Sequence, residues 1–475
     1  MKTALSRILH LTTLTILVIV TGCTPESSQT GNLDLTDAEI EDLVRRSYQF
    51  VAMYNVNNKF AMDPTNPSTT NGWNKTFAAT ELVDHTMQAI ARPNNDTLYA
   101  GGMLDLRKEP IILECPAFDS TYVSLMVTGY DHFVNIPMST RQGHFSKPSR
   151  ILFYTQRTPG YSGEPVEGVD YIHEATGDFV SAVFRVMPHA NEPERMARNI
   201  EAMKSIKAVA LSELLGGETV PPPEDVDFPA YGRTDFDVFE NNFMEVMQFI
   251  LNHTTFEPDD VLDQELLAIL KPMGLVPGQA FDPALADKVD GARLRAVAER
   301  IAPEQLAMAT DEGFMAANVA RLFQPKGQIP LELLLFQSVL GPIGQPAAEA
   351  VYPSIGTKDN KPMNASNDYV IRMSADELPP ATAFWSATLY DNANGFFMPN
   401  ERKKYSVGEN GGMQLDENGG IAIHISETQP EGVPDENWLP LVRGDYAIDV
   451  IMRIYAPDLE KFATWTPPVA ERMEP

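Results

Sequence analysis

Three hydrophobic periods follow one another along the chain and divide it. Lys2 and Arg7 precede an almost wholly apolar run from Ile8 to Val20. At about 13 residues this run is too short to span a bilayer, which takes about 20, but it suits the core of a signal peptide. A helix is expected from Thr36. Thr36-Asp37-Ala38-Glu39 fits a capping box, Leu35 can staple onto Ile40, and Ile40, Leu43, Val44, Tyr48 and Val51 keep helical spacing. Asn55 to Lys75, rich in Asn, Pro, Thr and Gly, reads as a loop.

From about Thr80 to Val186 the apolar runs shorten. Leu98-Tyr99-Ala100, Ile111-Ile112-Leu113, Tyr122 to Val127, Ile151 to Tyr154 and Val180 to Val186 are strand-like, with Gly, Pro and Asp between them. Helical spacing returns at Glu192 with Met196, Ile200, Met203 and Leu214, and Pro221-Pro222-Pro223 is a stiff break. Phe236, Phe239, Phe243, Val246, Met247 and Ile250 form an apolar stripe of the kind that faces a core. Further helices are expected over 259–270 and 283–302. After Gly341 alternation resumes at Tyr369 to Met373, Ala383 to Tyr390, Ile421 to Ile425 and Tyr446 to Tyr455. No internal repeat stands out from this pattern. It predicts a multidomain α and β chain: two antiparallel β-sandwich or jelly-roll domains with an all-α insert between them.

Val20-Thr21-Gly22-Cys23 ends the first apolar run and resembles the lipobox of bacterial lipoproteins. The resemblance implies cleavage before Cys23, diacylation of its thiol and an acylated new N-terminus. Several acyl chains, each buried methylene contributing roughly 0.8 kcal/mol, hold a protein to a bilayer almost permanently. Thr24 rather than aspartate after the cysteine implies the outer membrane of a Gram-negative envelope, facing the periplasm. The expected organisation is therefore a signal peptide over 1–22, a lipidated tether over 23–35, and an N-terminal helix and loop over 36–79. A first sandwich over 80–191, a helical region over 192–345 and a jelly-roll-like domain over 346–475 complete it.

Composition narrows the partners. Hydrophobic residues at 43% and charged residues at 21% exclude wholesale disorder and a polytopic membrane protein. With 65 acidic against 36 basic residues and a net charge of -29, the chain repels a phosphate backbone, so no nucleic-acid partner is expected. Two cysteines exclude a disulfide scaffold. Cys115, in the apolar run Ile111-Ile112-Leu113-Glu114-Cys115-Pro116, reads as a buried structural thiol.

Two segments resemble a known pair of families. Arg92-Pro93-Asn94-Asn95-Asp96-Thr97-Leu98-Tyr99, followed by Leu104-Asp105-Leu106-Arg107-Lys108-Glu109-Pro110, is similar to the signature of the domain-of-unknown-function 1254 family. Phe384-Trp385-Ser386-Ala387-Thr388-Leu389-Tyr390-Asp391, with Asn437-Trp438-Leu439-Pro440, Arg453-Ile454-Tyr455-Ala456-Pro457 and Trp465-Thr466-Pro467-Pro468, resembles its usual companion, the domain-of-unknown-function 1214 family. The resemblance implies two sandwich-like domains around a helical insert, and no established activity. Where typical members carry an Arg-Tyr-Tyr-like segment this chain reads Ser120-Thr121-Tyr122, which removes one arginine from any anion site there.

Catalytic motifs of known spacing are absent: no zinc helix, phosphate loop, dinucleotide turn or nucleophile elbow occurs. No metal site and no cofactor is expected; His85, His132 and His144 are scattered and could act together only if the fold gathers them. The densest chemical cluster is the signature segment. Arg92 can clamp an anion, Asp96 can serve as a base, Tyr99 can stack or donate, and Asn94 and Thr97 can bind a ligand. The same Pro-Asn-Asn-Asp-Thr string is a tight-turn sequence whose side chains satisfy backbone groups. Trp385, Tyr390, Trp438 and Tyr455 offer an aromatic platform for a sugar, or a sandwich core. The first reading is a lipid-anchored envelope protein that binds a small molecule or glycan. The second is an envelope hydrolase using Asp96 with His85 or Tyr99. The third is a structural or assembly protein. Whether it is an enzyme, and its oligomeric state, stay open at this point. The anchor is testable alone: metabolic labelling with a palmitate analogue should mark the wild type and not Cys23→Ser, and label surviving the substitution would refute the lipobox.

Overall fold

The computed structural model describes residues 33–474 except 67, 89–91, 218–225, 310, 342 and 360. The expected signal peptide, Cys23 and most of the expected tether lie outside the described residues.

Helix α1 (Asp37–Met62) opens with the capping box, Thr36 Oγ1 accepting from Glu39 N while the Glu39 carboxylate accepts from Thr36 N. It runs past Asn55, where the sequence reads as a loop. Tertiary partners override the poor helix propensity of asparagine: Asn55 Nδ2 donates to Asp235 Oδ1 at 2.7 Å, its Oδ1 accepts from Gly232 N, and Asn58 Nδ2 donates to Tyr130 Oη at 3.4 Å.

The first β domain comprises β1 (Lys75–Ala78), β2 (Leu98–Asp105), β3 (Ile111–Cys115), β4 (Val123–Thr128), β5 (Ile136–Ser139), β6 (Ser149–Tyr154), β7 (Tyr171–Glu174), β8 (Phe179–Val186), α2 (Pro193–Lys204), β9 (Lys207–Ala210) and the turn α3 (Leu211–Leu214). Its strands form a five-stranded sheet, β1-β2-β8-β4-β5, and a four-stranded sheet, β7-β6-β3-β9. Alternate residues of both, among them Leu98, Leu113, Leu125, Phe153 and Phe184, close on one core. The domain is wider than the 80–191 read from the pattern. β1 starts before it, and β9 lies inside the stretch taken as helical because its Lys-Ala-Val-Ala can add an edge to β3.

The helical region contains α4 (Asp235–Asn241), α5 (Phe243–His253), α6 (Val261–Leu270), α7 (Gly291–Met308), α8 (Glu312–Asn318) and α9 (Leu331–Leu340). Helix α1 belongs to it rather than to a separate N-terminal unit: Leu43, Val44 and Val51 share a core with Phe239, Phe243, Val246, Ile250, Leu266 and Leu294. The second β domain comprises β10 (Ala350–Val351), β11 (Ser354–Ile355), β12 (Met363–Asn364), β13 (Tyr369–Met373), β14 (Ala381–Asp391), β15 (Ser406–Gly408), β16 (Ile421–Ser426), β17 (Trp438–Pro440), β18 (Ala447–Pro457), the turn α10 (Leu459–Phe462) and β19 (Ala470–Arg472).

The two β domains are topological copies. Sheet order β2-β8-β4-β5 in the first matches β10-β18-β14-β15 in the second, and β7-β6-β3-β9 matches β17-β16-β13-β19. The same strand in each, β7 on β6 and β17 on β16, pairs parallel, so these two sheets are mixed, while the strand pairs of the other two sheets are antiparallel. In both copies β5 or β15 leads into a short 3-10 turn closed by a glycine, Gly143 at φ 85° and Gly412 at φ 75°, a conformation that costs a side-chain-bearing residue more. The hydrophobic pattern did not reveal this duplication.

One buried pair in the helical region carries a pH signature. Asp263 Oδ2 accepts from Lys326 Nζ at 2.5 Å and from Glu257 N at 2.7 Å, yet burial pushes its carboxyl up to about 6 against the pull of Lys326. The native state then holds a proton that the unfolded chain releases near pH 4. The contribution is full below that pH and is lost as pH rises through 6, about 3 kcal/mol in all. The unfolding free energy of wild type minus that of Asp263→Asn should therefore fall by about that amount between pH 4 and pH 7 in urea titrations. An equal difference at both pH values would contradict this.

Candidate functional site

Both signature segments meet where the two β domains touch. Residues alternating with the cores point outward from the five- and six-stranded sheets and face one another. Tyr122 and Met187 of the first domain pack with Ala350, Phe384, Tyr455 and Ala456 of the second. The rings of Phe384 and Tyr455 stack at 4.1 Å, with Tyr122 against both.

The segment entering β2 lies across the second domain. Arg92 takes a left-handed φ of 51°, strained for a side-chain-bearing residue. It is held by its N donating to Gly395 O at 2.6 Å and by its guanidinium on Asp449 Oδ2 at 2.8 Å. Asn94 makes the turn: its Oδ1 accepts from Asp96 N at 2.7 Å, and its Nδ2 reaches Thr97 Oγ1, Tyr99 Oη and Tyr455 Oη. The turn redirects Asp96 away from the first core and onto the second domain. There Asp96 Oδ2 accepts from Ser386 Oγ at 2.6 Å and from Tyr455 Oη at 3.4 Å. The carboxyl is 1% exposed, and burial pushes its pKa up from the ordinary value against the pull of Arg453. Arg453, equally buried, donates through Nη2 to the carbonyls of Arg92 and Pro93 and to Tyr390 Oη, and through Nη1 to Thr388 Oγ1.

A matching arrangement lies on the other side. Arg453 on β18 pairs in register with Ser386 on β14, and Arg185 on β8 pairs in register with Ser124 on β4. Tyr99 lies opposite Arg185, and Tyr352, between Val351 opposite Ile454 and Ser354 opposite Ile451, lies opposite Arg453. Each copy thus contributes a Tyr–Arg–Ser row to the seam. The cover is exchanged between copies. The chain entering the first domain covers Arg453, and the chain entering the second covers Arg185. Ile343 O accepts from Arg185 Nη2 at 2.6 Å, and Gln345 Nε2 donates to Ser124 Oγ at 2.6 Å. Glu349 then accepts from Ser139 Oγ and pairs with Arg141.

Among the described residues, Asp96 Oδ1, Asn95 Oδ1, Asp449 Oδ1 and Arg185 Nη1 are buried without a hydrogen-bond partner, with Ser406 beside the Asp96 carboxyl and the Tyr99 hydroxyl beside Arg185. Tyr352 stands 38% exposed while its hydroxyl lies within reach of the charges of Arg185, Arg453 and Asp96.

The structure brings Arg92, Asn94, Asp96, Thr97 and Tyr99 together here, with Arg92 and Asn94 spent on holding the turn. It does not build the aromatic platform. Trp385, Tyr390 and Trp438 are all buried: Trp385 faces the second core, Tyr390 Oη donates to Pro93 O, and Trp438 Nε1 donates to Ser426. Of that group, Tyr455 and the Tyr390 hydroxyl reach the seam. His85 bonds Tyr405 Oη rather than Asp96, and His132 and His144 bond Ser338 Oγ and Ser139 N. Among the described residues no group of three His, Cys, Asp or Glu could hold a metal ion. Cys115 is in the first core, its thiol pushed up to about 12 by burial. Sequence reasoning overlooked Arg185, Ser124, Gln345 and Tyr352. The available signal was an arginine alone in an apolar strand, twice: Val183-Phe184-Arg185-Val186-Met187 and Ile451-Met452-Arg453-Ile454-Tyr455.

Fold and seam together define a class: two copies of one β-sandwich, clasped by exchanged entry segments over a buried polar layer. The chain belongs to the two-domain family described as proteins of unknown function DUF1254 and DUF1214, which match residues 73–208 and 349–459. It resembles a crystal structure of a protein from Vibrio parahaemolyticus, with a TM-score of 0.68 and 23% identity over 92% of this chain and 100% of that one. A crystal structure from Burkholderia cenocepacia is more distant, with a TM-score of 0.42 and 11% identity over 92% of this chain and 96% of that one. No curated protein matches.

The clasp should dominate stability. Asp96→Ala leaves the buried Ser386 and Tyr455 hydroxyls without their acceptor and removes the carboxylate near Arg453, and should cost about 1–3 kcal/mol in urea unfolding. The double variant Asp96→Ala/Arg453→Met should cost clearly less than the two single losses added. Strict additivity would show that the two charges do not couple.

Proposed function

We propose that the chain is a lipid-anchored envelope protein that binds a small organic molecule in the seam between its two β domains. The observation that carries this reading is the set of unpartnered buried atoms, Asp96 Oδ1, Asn95 Oδ1 and Arg185 Nη1, beside the exposed Tyr352. Native interiors rarely leave buried donors and acceptors unmatched, so unmatched atoms gathered in one seam support a ligand position there. Cys23 supports the anchor, as the sequence pattern argues. The burial of Trp385, Tyr390 and Trp438 turns the ligand away from an extended glycan and toward a molecule small enough to enter the seam.

The hydrolase is the second reading, and one contact favours it: Ser386 Oγ donates to Asp96 Oδ2 at 2.6 Å. A carboxyl whose pKa burial raises above the ordinary value is a stronger base for that proton.

Calorimetric titration with the neutral probes 4-hydroxybenzyl alcohol, 4-hydroxybenzamide and N-acetylglucosamine tests the first reading. At least one should bind saturably, and Tyr352→Ala, an exposed position, should weaken it about tenfold with little change in apo melting temperature. Probes that all fail to bind, or that bind Tyr352→Ala unchanged, would remove the seam as the site. Turnover of 4-nitrophenyl acetate that disappears in Ser386→Ala would favour the hydrolase instead.

A further inference from the structure

Away from the seam, the buried pair of Asp263 and Lys326 joins two parts of the molecule. Asp263 is on α6 of the helical region. Lys326 follows a stretch that grips the first sandwich: Gln324 O accepts from Val134 N, Lys326 N donates to Asn135 Oδ1 at 2.9 Å, and Leu322 and Phe323 pack with Met126 and Phe133. The two side chains meet nearly out of water, the lysine 10% exposed and the aspartate 3%. Nζ lies 2.5 Å from Oδ2 and is oriented by a second bond, to Thr255 O at 2.9 Å. Cγ is one bond beyond Oδ2, so the nitrogen stands at roughly the 3–3.5 Å of a near-attack arrangement.

The surroundings suit acyl transfer as well as an ion pair. The rings of Phe133 and Phe256 flank Nζ at 5.6 and 5.8 Å and keep water from it. The Glu257 N–H donates to Asp263 Oδ2 at 2.7 Å and polarises the carboxyl as a backbone donor does in an oxyanion hole. A second acid shares the lysine. The charge of Lys326 acts on Asp131, fully buried between β4 and β5 with the Thr176 hydroxyl and the Phe133 N–H beside it. Burial raises the pKa of both acids, and one ammonium faces the two of them. A neutral Asp263 is an acyl donor, a deprotonated lysine is a nucleophile, and an ionised Asp131 is a base.

We infer that Lys326 and Asp263 close an intramolecular amide bond in the folded chain, tying α6 to the stretch that holds the first sandwich. Asp131 takes one proton from the Lys326 ammonium. The free amine forms the Nζ–Cγ bond, and the charge developing on Oδ2 is held by the Glu257 N–H. The bond from Cγ to Oδ1 then breaks, and that oxygen leaves as water with its own proton and a second proton from the nitrogen. Acid and amine together lose one water; nothing is oxidised or reduced. Because closure follows folding, the freshly folded chain still has the carboxyl whose titration is described above, and the closed chain does not.

The test is a peptide map by mass spectrometry of the full chain kept folded for days, beside the same chain held unfolded in urea. The folded sample should give a branched peptide containing Asp263 and Lys326, lighter than its two linear parts by one water. Lys326→Arg keeps the ion pair and should give linear peptides only. Asp131→Asn should slow closure by about 100-fold. Folded wild type that yields only linear peptides overturns the inference, and this arm decides alone if Asp131→Asn does not fold. A branched peptide formed equally in urea overturns the part played by the folded arrangement. Closure at the wild-type rate in a folded Asp131→Asn overturns its role as the base.

Discussion

A guanidinium buried between two β-sheets must find its acceptors there, and Arg453 finds only some of them in its own domain. Thr388 and Tyr390 come from the same sheet; the carbonyls of Arg92 and Pro93 come from the segment that enters the other sandwich. Removing a charge from water costs several kcal/mol even after relaxation, so this segment has to lie where it does. The remaining features of the loop follow. Arg92 accepts a left-handed backbone, Asn94 closes the turn, and Asp96 leaves the first domain to meet Ser386. Two residues later Leu98 is already in the first core, so one short stretch of chain belongs to both sandwiches.

Duplication explains why the clasp has two sides. The same strand order places a Tyr–Arg–Ser row on the outer face of one sheet in each copy, and the rows face one another. Identical halves would cover each arginine in the same way. They are not identical: one cover sets Asp96 on Ser386, and the other sets Glu349 on Ser139 and Arg141 with Gln345 on Ser124. The helical region bears on a different part of the first domain, where Tyr130 and Phe179 join its core and Met126 and Phe133 meet Leu322 and Leu334. The first sandwich is thereby held by helices as well as by its copy.

Several features were legible in the chain because they rest on local rules. The capping box at Thr36 and the strand runs at Tyr122 to Val127 and Ala383 to Tyr390 depend on spacing within one element, and the aromatic stripe from Phe236 to Ile250 on spacing along two successive helices, α4 and α5. The turn at Asn94 is as local, its side chain bonding its own backbone two residues on. The extent of α1 beyond Asn55 was not legible, since Asn55 is satisfied by Gly232 and Asp235, about 180 residues away in sequence. The duplication was hidden for a related reason. Pairing order is a property of hydrogen bonds between strands, and many apolar sequences satisfy the same order.

By itself the sequence determined the β–α–β division, the signature turn and the identity of the residues that could do chemistry in it. It also determined the polarity of each strand face, because side chains alternate with a period of two. Tertiary structure alone decided that Asp96 and Arg453, remote in the chain, share one buried layer, and that Trp385 and Trp438 belong to the interior. The physical reason is the range of the interactions. Capping, turns and amphipathic alternation act over a few residues, whereas the cost of a buried charge depends on every group the fold brings within reach of it.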